Sequence, residues 1–135
     1  MRNPESWGQT DGYRRMIFIV DDDAPTRDSL RLLLEAEGLE AREFAAGRTF
    51  LEDERPADGD CLILDLTMPG MNGFEVLREL RRRGGDNLPV IIVTAYADSA
   101  TRSRAAAGGA LAVLEKPYRA SELLVLVRRA LSIAH

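Results

Sequence analysis

The sequence predicts one α/β domain, built as five βα units with the strands parallel in one sheet and helices on both faces. Three observations predict it. Short, continuous apolar runs recur along the chain, as in strands covered on both sides. Longer stretches with apolar residues at helical spacing separate them, and that alternation implies right-handed crossovers and a parallel sheet. Acidic residues, a threonine and a lysine fall just past the ends of the runs, where ligands bind in open α/β sheets.

Met16-Ile17-Phe18-Ile19-Val20 is the first strand. Asp23 offers a helix cap, and Pro25 fits an early helical position. Leu30, Leu33 and Leu34 form the apolar stripe of that helix, and Gly38 ends it. Glu40 to Ala45 alternates weakly, as an edge strand does. Gly47 to Glu54 is a short helix around Phe50 and Leu51, and Pro56 to Gly59 is loop. Cys61-Leu62-Ile63-Leu64 is the next buried strand, ending in Asp65. Pro69 to Gly73 is a turn-rich loop. Phe74, Leu77 and Leu80 face one side of a helix that stops near Gly84-Gly85. Pro89 to Val93 is the fourth strand, followed by Thr94. Asp98 to Ala107 is a helix with few apolar anchors, stopped by Gly108-Gly109. Leu111 to Leu114 is the fifth strand. Ser121 to Ala134 is the last helix, with Leu123, Val127, Ala130, Leu131 and Ala134 on one face.

A chain of 135 residues with 45% apolar and 30% charged content suits one soluble domain with a real core. Its net charge of −4 argues against general binding to nucleic acid or to a membrane surface. Arg78, Arg81, Arg82 and Arg83, and again Arg128 and Arg129, read as solvated helix faces. Cys61 sits in an apolar run and reads as a small buried hydrophobe in a reducing compartment. No apolar run is long enough to span a membrane. Residues 1–15 carry no apolar signal-peptide core and read as a flexible leader containing Trp7. A cytoplasmic location is therefore expected.

The chemistry lies in three stretches: Val20-Asp21-Asp22-Asp23, Leu64-Asp65-Leu66-Thr67-Met68-Pro69-Gly70 and Glu115-Lys116-Pro117. In a parallel sheet, Asp21, Asp22, Asp65, Thr94 and Lys116 all fall at one edge. Clustered carboxylates repel and call for a cation, and Mg²⁺ takes oxygen ligands of this kind. One aspartate then serves as a nucleophile toward phosphorus, and Lys116 pairs with anionic phosphoryl oxygens. The Thr94 hydroxyl gains a partner only when the phosphoryl group is present, which suits a switch. Taken singly these residues have plainer readings. The aspartate run could cap a helix, Asp65 could be a turn residue, Lys116 a surface lysine and Thr94 a β-branched strand end. Their joint placement, each at a strand's carboxyl end, is what is specific.

At these residues the chain resembles the receiver domain of two-component response regulators. The matching segments are Ile19 to Asp23, Leu62 to Gly73, Val90 to Ala95 and Leu114 to Tyr118. The likeness runs over about residues 16 to 134, and the receiver domain is set at 16–135. It implies a flavodoxin-like, three-layer (βα)5 fold with strand order 2-1-3-4-5. It makes Asp65 the phosphoacceptor, charged by a sensor histidine kinase or a phosphotransfer protein within a phosphorelay. Asp21, Asp22, Asp65 and the carbonyl of Thr67 would hold Mg²⁺. Thr94 would be the switch hydroxyl, Lys116 the phosphoryl-binding lysine, and the Lys116-Pro117 bond cis. The domain would act as a signalling switch in transcription regulation. Its only catalysis would be phosphoryl transfer to itself and autodephosphorylation.

Arg27, Ser29, Leu30 and the run Leu32 to Glu35 look most like regulators with a LuxR-type helix-turn-helix output. Such receivers suggest a phosphorylation-dependent homodimer through the 98–134 region, where Leu126 and Ile133 lie at the margin of the last helix's core face and Val125 outside it. Two departures stand out. Val113 occupies the place, three residues before the lysine, where many members carry Tyr or Phe, so an aromatic flip is excluded there. Gly108 stands where Ala is usual and is expected to loosen the loop before the fifth strand.

Other classes fit less well. A receiver-like module that signals by contact, without phosphorylation, need not keep the whole set of Asp21, Asp22, Asp65, Thr94 and Lys116. A phosphatase of the haloacid dehalogenase type needs a second aspartate two residues after the nucleophile, and here that residue is Thr67. A flavodoxin needs a Ser/Thr-rich phosphate loop after the first strand, and none follows.

Overall fold

The computed structural model describes residues 15–57 and 59–133. The leader expected over 1–15 lies outside them apart from Arg15, as does Ala134. The elements alternate as expected: β1 (Met16–Val20), α1 (Ala24–Ala36), β2 (Glu40–Phe44), α2 (Gly47–Asp53), β3 (Cys61–Asp65), α3 (Gly73–Arg82), β4 (Val90–Thr94), α4 (Ser99–Ala107), β5 (Ala112–Glu115) and α5 (Ala120–Ile133). The five strands form one parallel sheet in the order β2-β1-β3-β4-β5, the flavodoxin-like order expected. Among the described residues, no helix is long and apolar enough to cross a membrane.

The apolar strands carry two cores because successive side chains point to opposite faces. Phe18, Val20, Leu62, Leu64, Val90 and Ile92 join Phe50, Val76, Leu77, Leu80 and Ala105 on one face. Ile17, Ile19, Cys61, Ile63, Ile91 and Val93 join Leu30, Leu34, Leu123, Val127, Ala130 and Leu131 on the other. Helices α2, α3 and α4 therefore cover the first face, and α1 and α5 the second. Both faces being covered explains why β1, β3 and β4 read as unbroken apolar runs and why β2, at the edge, does not.

Local signals set the helix starts. Asp23 caps α1, accepting the Thr26 N–H at 3.1 Å. Asn72 and Glu75 form a reciprocal capping box at the start of α3. Asp98 caps α4 through the Thr101 N–H at 2.8 Å.

Three expectations are revised. The fourth and fifth strands begin and end one residue later than read. Leu111 still donates its N–H to the Val90 carbonyl at 2.8 Å, so the ladder begins before the strand proper.

Arg81 is not part of a solvated face. It is half-buried and donates to the carbonyls of Gly85, Leu88, Gly108 and Gly109, the last three at 2.9, 3.1 and 2.9 Å. Arg83 likewise donates to the Leu51 carbonyl at 2.8 Å while pairing with Glu79.

Gly108 does not loosen its loop. Its N–H bonds back to α4 and its carbonyl accepts from Arg81. A Cβ at this position would stand 2.6 Å from the Leu77 side chain, so the missing methyl lets α4 close on α3.

Candidate functional site

The carboxyl ends of β1, β3, β4 and β5 lie side by side because the strands are parallel and in close register. Val20 is level with Leu64, Asp65 with Val93, and Thr94 with Glu115. The chain leaves each strand at a polar residue: Asp21 after β1, Asp65 at the end of β3, Thr94 at the end of β4 and Lys116 after β5. Asp21, Asp65 and Thr94 are buried, whereas Asp22 is exposed.

One carboxylate oxygen from each of Asp21, Asp22 and Asp65 lies within 4.8 Å of the others. The Lys116 ammonium stands 3.5 Å from Asp21 Oδ2 and 3.5 Å from Asp65 Oδ1. Burial pushes the Asp65 carboxyl up to about 6, the Asp21 charge adds to that, and Lys116 offsets part of it. One ammonium thus leaves the negative charge of the cluster unrelieved. An all-oxygen donor set with two buried carboxylates and unrelieved negative charge fits a hard divalent cation such as Mg²⁺.

Backbone hydrogen bonds hold these groups in place. The Asp23 N–H donates to Asp21 Oδ1 at 2.9 Å, which fixes that carboxylate's orientation. The Lys116 N–H donates to the Thr94 carbonyl at 2.8 Å and ties the lysine to the end of β4. The Thr94 hydroxyl oxygen accepts the Tyr96 N–H at 3.2 Å. The Lys116–Pro117 peptide is cis. Behind Asp65, Gly73 packs so closely that a Cβ would fall 2.6 Å from the Asp65 carbonyl oxygen and 2.8 Å from Leu66 Cα. Only glycine fits beneath the Asp65 backbone.

Every side chain singled out from the sequence is found at this edge. Asp21, Asp22, Asp65 and Lys116 are brought together directly, and Thr94 sits on the adjoining strand end. Thr67 lies exposed two residues beyond Asp65. Asp23, by contrast, faces α1 as its cap and takes no part in the carboxylate cluster.

Sequence reasoning read Arg27 only as part of a subfamily likeness and gave it no place at the site. Its Nη1 donates to the Asp21 carbonyl at 2.8 Å and its Nε to Glu43 at 3.2 Å, pinning the end of β1 to the edge strand. An arginine one helical turn after an aspartate cluster is the signal that was available. It passed over Arg102, whose guanidinium reaches the carbonyls of Ala97 and Val113.

The response regulator receiver domain family matches residues 17–128. The transcriptional regulatory protein TdiR of Thauera aromatica is 36% identical over 122 residues, which cover 90% of this chain and 53% of that protein. The transcriptional regulatory protein FixJ of Azorhizobium caulinodans is 36% identical over 115 residues, covering 85% and 54%. The chain spans about half the length of these relatives. Among solved structures, the response regulator StyR superposes with a TM-score of 0.82 at 37% identity, over 90% of this chain and 61% of that one. The chemotaxis protein CheY4 of Vibrio cholerae superposes with a TM-score of 0.77 at 27% identity, over 86% and 98%.

Proposed function

This chain belongs to the response regulator receiver domain family, and on that premise we propose that it takes a phosphoryl group onto Asp65 and signals by the change that follows. The observation that carries the reading is the gathering of Asp21, Asp22 and Asp65 within 4.8 Å, with Lys116 at 3.5 Å from two of them. The donor is a phosphohistidine on a sensor kinase or phosphotransfer protein.

In the transfer, a carboxylate oxygen of Asp65 attacks phosphorus and an acyl phosphate forms. The phosphorus–nitrogen bond breaks, and the imidazole leaves with the electron pair. Lys116 then pairs with an anionic phosphoryl oxygen, and the Thr94 hydroxyl donates to another. Asp21, Asp22, Asp65 and the Thr67 carbonyl would hold Mg²⁺. When bound, that cation neutralises the carboxylates and the incoming phosphoryl charge. Asp21, held by the Asp23 N–H, keeps its oxygens aimed into the cluster. Gly73 leaves the Asp65 backbone free of side-chain pressure from below. Hydrolysis of the acyl phosphate returns the domain to its resting state, and self-phosphorylation and this reversal are its only catalysis. Output passes through protein contacts rather than through nucleic acid held by this domain.

The test is incubation with acetyl phosphate and Mg²⁺, read by intact mass. One base-labile phosphoryl group is expected, mapping to Asp65 and absent in Asp65→Asn. No label on the wild type would favour a module that signals by contact alone. Equal labelling of the variant would move the acceptor elsewhere.

A further inference from the structure

We propose that Arg102 is the positioning residue that couples the site to helix α4, by joining the loop after Thr94 to the strand that leads to Lys116. The inference rests on the phosphorylation reading above. Its basis is a pair of hydrogen bonds from one side chain. Arg102 Nε donates to the Ala97 carbonyl at 3.0 Å, and Nη1 donates to the Val113 carbonyl at 3.3 Å. Ala97 lies in the short loop between Thr94 and the α4 cap Asp98. Val113 lies on β5, three residues before Lys116. The segments that carry two of the phosphoryl-binding groups are thus bonded by one guanidinium.

A change at the site has a route to this bridge. The Thr94 hydroxyl oxygen accepts from the Tyr96 N–H, and Ala97 is the next residue along. A hydroxyl that swings to donate to a phosphoryl oxygen on Asp65 moves its oxygen, and residues 95–97 follow. The guanidinium is planar, with its donors at fixed angles. A displaced Ala97 carbonyl therefore cannot keep its bond while Val113 keeps the other, unless α4 moves too.

Few buried side chains anchor the helix against such a shift. Ala105 is its one buried residue, whereas α3 buries Val76, Leu77 and Leu80. A groove of about 620 Å³ beside Arg102, lined by Val113, Glu115, Lys116 and Glu122, offers the released guanidinium two carboxylates. Val113 has no ring to rotate, so its backbone carbonyl is the handle. Two discrete arrangements follow: Arg102 on the two carbonyls, or Arg102 turned into the groove.

The experiment measures amide hydrogen exchange on the full chain, with and without acetyl phosphate and Mg²⁺, for wild type, Arg102→Ala and Arg102→Lys. Intact mass reports phosphorylation in the same samples. All three are expected to take the phosphoryl group on Asp65. In wild type, phosphorylation should alter exchange in the 95–98 loop, in α4 and in β5. In Arg102→Ala the loop change should persist while most of the α4 and β5 change is lost. Arg102→Lys keeps the charge but not the planar fork of donors at fixed angles, so it should recover at most part of the α4 and β5 change. The proposal is overturned if either variant keeps the wild-type change in α4. It is also overturned if Arg102→Ala loosens α4 equally with and without the phosphoryl group, which a merely structural role predicts. A wild type that takes no phosphoryl group would instead overturn the functional reading itself, and the mass spectrum separates that failure from loss of coupling.

Discussion

Arg81, at the amino ends of β4 and β5, and Asp65, at the carboxyl end of β3, are both charged groups drawn out of water, and their surroundings are opposites. Arg81 donates to four backbone carbonyls at the end of α3, before β4 and after α4, so its burial is matched by hydrogen bonds. Asp65 meets two further carboxylates and shares one lysine with Asp21. Burial holds its carboxyl up at about 6 against an ordinary value of 3.8. A charge satisfied in this way holds the fold together. A charge left in repulsion costs stability and is kept for what it binds.

The largest effect is expected at the satisfied end. Arg81→Ala removes the partner of four carbonyls that sit beside the α3–α4 contact. A loss of about 2–3 kcal/mol follows, since hydrogen bonds from charged donors are the stronger ones and solvent reaches part of the side chain. Thermal unfolding checks it, and a change near zero would put Arg81 back on a solvated face.

Asp65→Asn should move stability the other way. A folded carboxyl that titrates near 6 holds its proton over a range where the unfolded one has lost it. The folded state is thus favoured most below about pH 3.8, and stability is lost as pH rises from there through 6. At neutral pH in chelator the ionised group costs about 1–3 kcal/mol. The amide removes that cost, so the variant should be more stable than wild type at pH 7 and should lack this pH dependence. Denaturant unfolding across pH reads both.

A smaller contrast lies within the acidic run. Asp23→Ala should lower stability through the lost helix cap and leave Mg²⁺ affinity near wild type. Asp22→Ala should weaken Mg²⁺ binding with little change in stability, because its side chain is exposed and serves the cluster. Equal loss of metal affinity in both would erase the division between cap and ligand.

The smallest effect concerns association. Val125 is 65% exposed on α5 and Leu126 is half-buried beside it. Sedimentation with a beryllofluoride mimic of the phosphoryl group should show a dimer that the free chain does not form. A monomer in both conditions removes the 98–134 surface as a pairing face.

The contrast between the two ends also explains what could be read from the sequence. β1, β3 and β4 were legible because burial on both faces demands unbroken apolar runs, and a strand's end is then marked by its first aspartate or threonine. Asp21, Asp65, Thr94 and Lys116 follow from parallel strands alone. Arg81 was not legible. Its carbonyl partners Gly108 and Gly109 lie 27 and 28 residues away, and only the docking of α4 on α3 brings them near. Within a run of three arginines nothing local marks the one that turns inward. Arg102 was hidden for a similar reason, since only the packing of α4 beside β5 brings the Val113 carbonyl to it. The limits of β5 were blurred because Ala110, Leu111 and Ala112 are all half-buried and give no period.

The most direct measurement compares thermal unfolding of wild type and Asp65→Asn at neutral pH, each in chelator and in saturating Mg²⁺. A cation that binds the folded state stabilises by mass action, and most where repulsion is greatest. In chelator Asp65→Asn should melt above wild type, and Mg²⁺ should raise wild type by more than the variant and narrow the gap. A variant no more stable than wild type in chelator, with both raised equally by Mg²⁺, would contradict the view that the cluster is a strained site built around Asp65 for a cation.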